Sequence, residues 1–135
     1  MRRIKPFLAL LIMTVSLACA SVRSDAFTFP DVSNIATPDK ADDVLYAGTL
    51  GYQFVVGSIN ALHEAKKFSD DRYERLIMAE DAPARRVRDA LKNGFAIVET
   101  WRASGDRTPF DAFYPKLTVP YAELRRALAG GVPWK

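Results

Sequence analysis

The sequence predicts an all-α protein: a three-helix up-down-up bundle with a proline kink in its second helix, preceded by a cleaved signal peptide. Three observations carry this. Apolar residues recur at helical spacing through most of the chain, good capping residues stand where each run begins, and no run of alternating apolar and polar residues argues for a strand. Short turns between the runs make neighbouring helices antiparallel.

The N-terminus reads Met1, Arg2, Arg3, Ile4, Lys5, Pro6 and then an uncharged stretch from Phe7 to Ala18. A short basic region, a brief apolar core and a small-residue exit describe a secretory signal, assigned to residues 1–20. As a helix the apolar core rises only about 18 Å, short of a bilayer core of about 30 Å. Ala18-Cys19-Ala20 fits cleavage after Ala20. Cys19 is the only cysteine of the chain, so no intrachain disulfide forms. It lies at the end of the apolar core, where lipoprotein signals carry the cysteine that receives lipid. Ala18 suits such a signal; Ser16 stands where an aliphatic residue is usual. Two exits therefore stand side by side: lipidation at Cys19, or cleavage after Ala20 that discards the cysteine. The expected location is the periplasm, with membrane attachment only through the signal peptide or a lipid on Cys19.

Charge points the same way. The chain has 19 basic and 16 acidic residues, a formal charge of +3. Loss of Arg2, Arg3 and Lys5 with the signal leaves 16 of each sign. The basic excess is a targeting feature and implies no nucleic-acid partner. The remaining residues, about 115, make one domain with a real core.

Residues 21–37 hold Ser, Asp, Asn, Pro and isolated apolar residues without a period, the pattern of a linker or tether. Phe27 and Phe29 within it are able to dock on the body. The bundle is assigned to residues 38–129. Its first helix begins at Thr37-Pro38, where Thr caps and Pro is tolerated in the first turn. Ala41, Leu45, Gly48, Tyr52, Val55, Ile59 and Leu62 then follow at spacings of 4 and 3, and the helix is expected to stop near Phe68.

Ser69 caps the second helix, with Phe68 and Tyr73 placed to form a hydrophobic staple and Asp70, Asp71 and Glu74 suited to the helix start. Its stripe is Tyr73, Ile77, Ala84, Val87, Leu91, Gly94, Val98 and Trp101, with Glu80 at one seam position. Pro83 removes an interior hydrogen bond, so a kink or break is expected between Glu80 and Pro83. Ser104, Gly105 and Asp106 form the next turn. Thr108-Pro109 with Asp111 starts the third helix. Phe110, Phe113, Leu117, Tyr121, Leu124 and Leu128 keep helical spacing, and Pro115 and Pro120 predict two short helices or one bent one. Gly130-Gly131 ends it, and residues 130–135 are a tail carrying Trp134.

Chemistry is sparse. His63, the only histidine, has no second His or Cys at ligand spacing; no metal or other cofactor is expected. Ser58 lacks a nucleophile elbow. Gly48, Gly51 and Gly57 lie on a helix, where they permit close packing; a phosphate loop needs a strand-to-helix turn. The Asp70, Asp71, Glu74 cluster is explained by capping. Glu80 and Asp81 also cluster, and Glu80 points along the seam: it marks a break in packing at the Pro83 kink or, as the alternative, a carboxylate suited to acid–base work. Arg85, Arg86, Arg88 and Lys92 form a basic patch that reads as a solvated face.

One feature stands apart. From Val44 to Leu62 the chain carries no charge, and Leu50, Phe54 and Ala47, with Gly57 and Ala61, fall off the core-facing seam. A helix apolar on nearly all sides is buried all round or faces lipid or a partner. Burial beneath the third helix is one expectation; a surface for self-association or for another envelope protein, built on Leu50, Phe54 and Ala47, is the other.

The stretch NALHEAKKFSDDRYERLIMAEDAPARRVRDALKNG, followed by RASGDRT, resembles small helical exported proteins and lipoproteins encoded by phages and prophages. In these a first helix ends in a turn of the type G-x-L-S-x-E-x-Y/F, whose positions Phe68, Ser69, Asp71 and Tyr73 take here. Gly105-Asp106 takes the second turn. The likeness covers about half the chain and implies a phage-linked, helical envelope protein. Two functions follow as expectations. The first is a non-enzymatic envelope protein acting through protein–protein contacts, in lysis control or superinfection exclusion. The alternative is a small periplasmic hydrolase or inhibitor with an acidic site near Glu80.

Overall fold

The computed structural model describes residues 27–129; the signal peptide expected at residues 1–20 with Cys19, residues 21–26 and the tail expected at 130–135 with Trp134 lie outside the described residues. Among the described residues the chain is all-helical, with three long helices: α1, Pro38–Glu64; α3, Pro83–Ser104; and α4, Thr108–Leu128. A single turn, α2, Asp70–Tyr73, runs directly into a π-helical stretch, Glu74–Met78. A 3₁₀ turn, Val32–Asn34, precedes α1.

Each long helix buries the stripe its spacing marks out. Leu45, Val55 and Ile59 of α1, Val87 and Val98 of α3, and Phe110, Leu117 and Leu124 of α4 are all buried in one continuous apolar cluster. Every buried residue of the described chain is apolar or aromatic, so burial of apolar area drives this packing. The contact between α3 and α4 is the most extensive, and α1 packs on both. Gly94 permits the close approach at the centre: a Cβ there would stand 2.9 Å from the Phe113 ring and 3.1 Å from Leu45.

α1 starts as its residues predict, with the Thr37 hydroxyl accepting from the Lys40 N–H at 3.1 Å and Pro38 in the first turn. It ends at Glu64, four residues before Phe68. The Lys67 N–H reaches the Leu62 carbonyl at 2.8 Å and the Lys66 N–H reaches that of His63 at 3.0 Å. Lys66 is left-handed, at φ 60°. This is a Schellman ending with lysine where glycine is usual, a position without the glycine by which the stop is normally recognised.

The expected kink in the second helix is a complete break. Ser69 caps α2, accepting from the Arg72 N–H at 3.3 Å, but helical geometry ends at Met78 and Ala79 is extended at ψ 153°. Ala82 is extended as well, at ψ 142°, and Pro83 is the first residue of a new helix. A residue before proline is pushed out of the α region, and proline's missing N–H costs nothing at a helix start. Glu80 is therefore not on a seam; it is exposed in the connection.

α4 departs in the opposite sense. Pro115 and Pro120 lie inside one continuous helix, not at the junction of two. Its start differs too: Thr108 is its first residue rather than its cap. The carboxylate of Asp106 accepts from the Thr108 N–H at 3.0 Å, and that bond holds the Asp106 carboxyl below its ordinary range. Gly105, left-handed at φ 73°, closes α3 just before it.

Of the stretch 21–37, the described part is fastened to the body. Phe27 and Phe29 pack against the core and Ile35 is fully buried. The Tyr121 hydroxyl donates to the Phe27 carbonyl at 2.7 Å and that of Tyr114 to the Pro30 carbonyl at 2.6 Å. Arg107 donates to the Val32 carbonyl at 3.1 Å while its guanidinium lies over the Trp101 ring. Phe29 makes edge contacts with Phe27, Tyr114 and Tyr121. Residues 27–37 thus form a strap across α1 and α4.

Candidate functional site: the open face of α1

α1 turns one side to the core and leaves the other uncovered. Tyr46, Leu50 and Phe54 retain 64%, 51% and 45% of their surface. They are four residues apart and therefore share a face. Gly57 and Ala61 continue that face and are exposed, and a Cβ added at Gly57 would meet nothing within 4 Å. Ala47 at its margin is half-buried. Neither α3 nor α4 covers Leu50 and Phe54, which disposes of the expectation that they are core residues. The seam residue Val55, next in sequence to Phe54, is fully buried. The face is bounded by exposed charge at both ends, by Asp39 and Asp43 at the start of α1 and by Glu64 at its end.

Asp39 and Asp42 are held by Arg102 of α3, at 2.9 and 2.6 Å; Glu99 completes that exposed network. The three carboxylates raise the pKa of Arg102, though an exposed network of this kind adds little stability. At the other end His63 stacks on Tyr73, with ring centroids 3.9 Å apart. Its Nε2 lies 2.8 Å from an Asp70 carboxylate oxygen, and the Tyr73 hydroxyl donates to the Asn60 side chain at 2.7 Å. The lone histidine thus ties α2 to the end of α1.

The remaining residues singled out by type lie apart. Arg86, Arg88 and Lys92 are exposed on α3, and Arg85 is half-buried. Arg86 approaches Glu123 at 3.6 Å and Arg88 approaches Asp89 at 3.7 Å. Among the described residues no group of three or more His, Cys, Asp or Glu side chains could hold a metal ion, and no helix is long and apolar enough to cross a membrane.

Two hollows flank α3. One, of about 530 Å³, lies against α4 and is lined by Phe113, Pro115, Val119 and Pro120. The other, of about 310 Å³, lies against α1 and is lined by Tyr52, Gln53, Leu91 and Phe95. Burial raises the pKa of the Tyr52 phenol, opposed by Arg88. A third, at the break before α3, is lined by Arg72, Arg75, Asp81, Pro83, Arg86 and Glu123 among others. Sequence reasoning missed this last cleft, because its arginines are brought together only by the break. Comparison with known protein families, curated proteins and solved structures finds no match to this chain.

Proposed function

We propose that this is an exported, non-enzymatic cell-envelope protein that acts through protein–protein contact on the open face of α1, with Leu50, Phe54 and Ala47 in the contact. The three packed helices are taken as an up-down-up bundle following a secretory signal. The observation that carries the reading is the exposure of Leu50 and Phe54 on a face whose neighbours are small and uncharged. Large apolar side chains grouped on one surface are costly to leave in water and mark interaction sites. The basic residues at the N-terminus, the apolar core behind them and Cys19 support export and a lipid anchor. The likeness of residues 60–94 to phage-encoded exported proteins supports a role in lysis control or superinfection exclusion.

Two adjacent substitutions test the contact. Phe54→Glu is expected to leave helicity and melting nearly unchanged and to abolish association, read by light scattering and by cross-linking in envelope fractions. Val55→Glu places an unpaired charge in the core and is expected to unfold the domain. Equal unfolding by both, or association that survives Phe54→Glu, refutes the reading. Export is tested separately, by the mass of the mature N-terminus: a lipidated Cys19 or a start at Ser21 supports it, and an intact Met1 overturns it.

A further inference from the structure

We propose that the cleft at the break between the π-helical stretch and α3 binds a phosphate-type oxyanion. The cavity measures about 370 Å³ and opens to solvent. Arg72 and Arg75 approach it from one side of the break and Arg86 from the other, facing Asp81 and Glu123. Three arginines and two acidic residues thus line one cleft. The pairing is incomplete: Arg86 stands 3.6 Å from Glu123, while Arg72 and Arg75 have no ion-pair partner among the described residues. The Arg72 guanidinium lies over the Phe68 ring, 5.8 Å from its centroid, and its Nε is buried without a hydrogen-bond partner.

The helix that opens onto the cleft adds to this. α1 and α2 begin with side-chain caps, but α3 has none and carries no acidic residue in its first turn. Arg85 and Arg86 follow at once, against the sign that a helix start favours. Of these two, Arg86 lines the cleft and adds positive charge to it. The π-helical stretch is the other wall. Its wider turn, closed by the Ala79 N–H on the Glu74 carbonyl at 2.8 Å, carries Arg75, and π turns recur at binding sites. Guanidinium groups match the oxygens of phosphate two at a time. The volume admits the oxyanion with a small organic group attached, so a phosphate monoester is the ligand class, whether a soluble metabolite or a lipid headgroup.

The test is titration of the full chain with inorganic phosphate, by calorimetry and melting, against chloride at equal ionic strength. Binding and a higher melting temperature in phosphate alone are expected. Arg75→Gln, at an exposed position, is expected to weaken phosphate about tenfold or more, as loss of a charged hydrogen bond does, without altering the fold. Glu123→Gln frees Arg86 from its competitor and is expected to tighten binding, a gain that a structural role for these side chains does not produce. No phosphate-specific effect, or an affinity indifferent to Arg75→Gln, overturns the proposal. Glycerol 3-phosphate and vesicles of phosphatidic acid, compared with phosphatidylcholine, then assign the source: a soluble ligand binds through the first, a headgroup through the second.

Discussion

Gly48 and Gly57 sit on opposite sides of α1, and their surroundings give them opposite meanings. A Cβ at Gly48 would stand 2.3 Å from the tip of the Phe29 ring. The glycine is there because the strap crosses the helix at that point. Gly48→Ala gains about 1 kcal/mol of helix propensity but must displace a ring wedged among Phe27, Tyr114 and Tyr121. Overpacking of that kind costs about 1–3 kcal/mol, so a net loss of stability is expected, seen as a lower urea midpoint. Gly57→Ala meets no atom and is expected to raise stability by about 0.5–1 kcal/mol. A rise for both would show that Phe29 is free to move aside. Caps were equally local: Thr37 and Ser69 were legible because a hydroxyl before an apolar run has one obvious use. Lys66 was not, since a left-handed lysine leaves no trace in composition.

Prolines divide the elements. Three of them stood inside apparently helical patterns, yet only Pro83 ends one. The difference lies in the register on either side. Phe113, Leu117, Tyr121, Leu124 and Leu128 hold a single stripe through Pro115 and Pro120, all of them buried against the neighbouring helices. Tertiary burial outweighs the lost hydrogen bonds there. Around Pro83 the stripe is interrupted by Glu80, and the chain leaves the helix instead. Periodicity located every long helix; whether a proline breaks one depends on packing that no local pattern contains. Pro115 is exposed in mid-helix, so its ring contributes little to the core while the Asp111 carbonyl loses its helical partner. Pro115→Ala restores that donor and relieves the clash, against an unfolded-state entropy of about 0.4–1 kcal/mol. A net gain of about 1–2 kcal/mol is expected, measured by denaturant unfolding. A loss would mean that the groove beside Phe113 depends on the proline ring.

At the scale of the whole molecule, the strap decides how stability responds to alkali. Its peptide carbonyls are held by two buried phenols, and the compositional pattern of residues 21–37 concealed this because the anchoring donors lie about 90 residues away in sequence. Burial, aided by Asp31, pushes the Tyr114 pKa up to about 12 from 10.0; burial raises that of Tyr121 as well, against Arg125. Below pH 10 these phenols are protonated in both folded and unfolded chains, and their contribution to stability is fully present. As pH rises past 10 the unfolded chain ionises first and is stabilised by it; the contribution is lost by the time pH passes the folded value. For Tyr114 the difference is at most about 3 kcal/mol, a substantial share of the stability of a small domain. Helicity should therefore stay flat to about pH 10 and fall between about pH 10 and 12. Tyr114→Phe gives up the bond to Pro30, and about 1 kcal/mol with it at neutral pH, but it removes this proton linkage. Its stability should fall less steeply above pH 10 than that of the parent chain. Parallel alkaline profiles for the two proteins would show that the phenol of Tyr114 is not what fastens the strap.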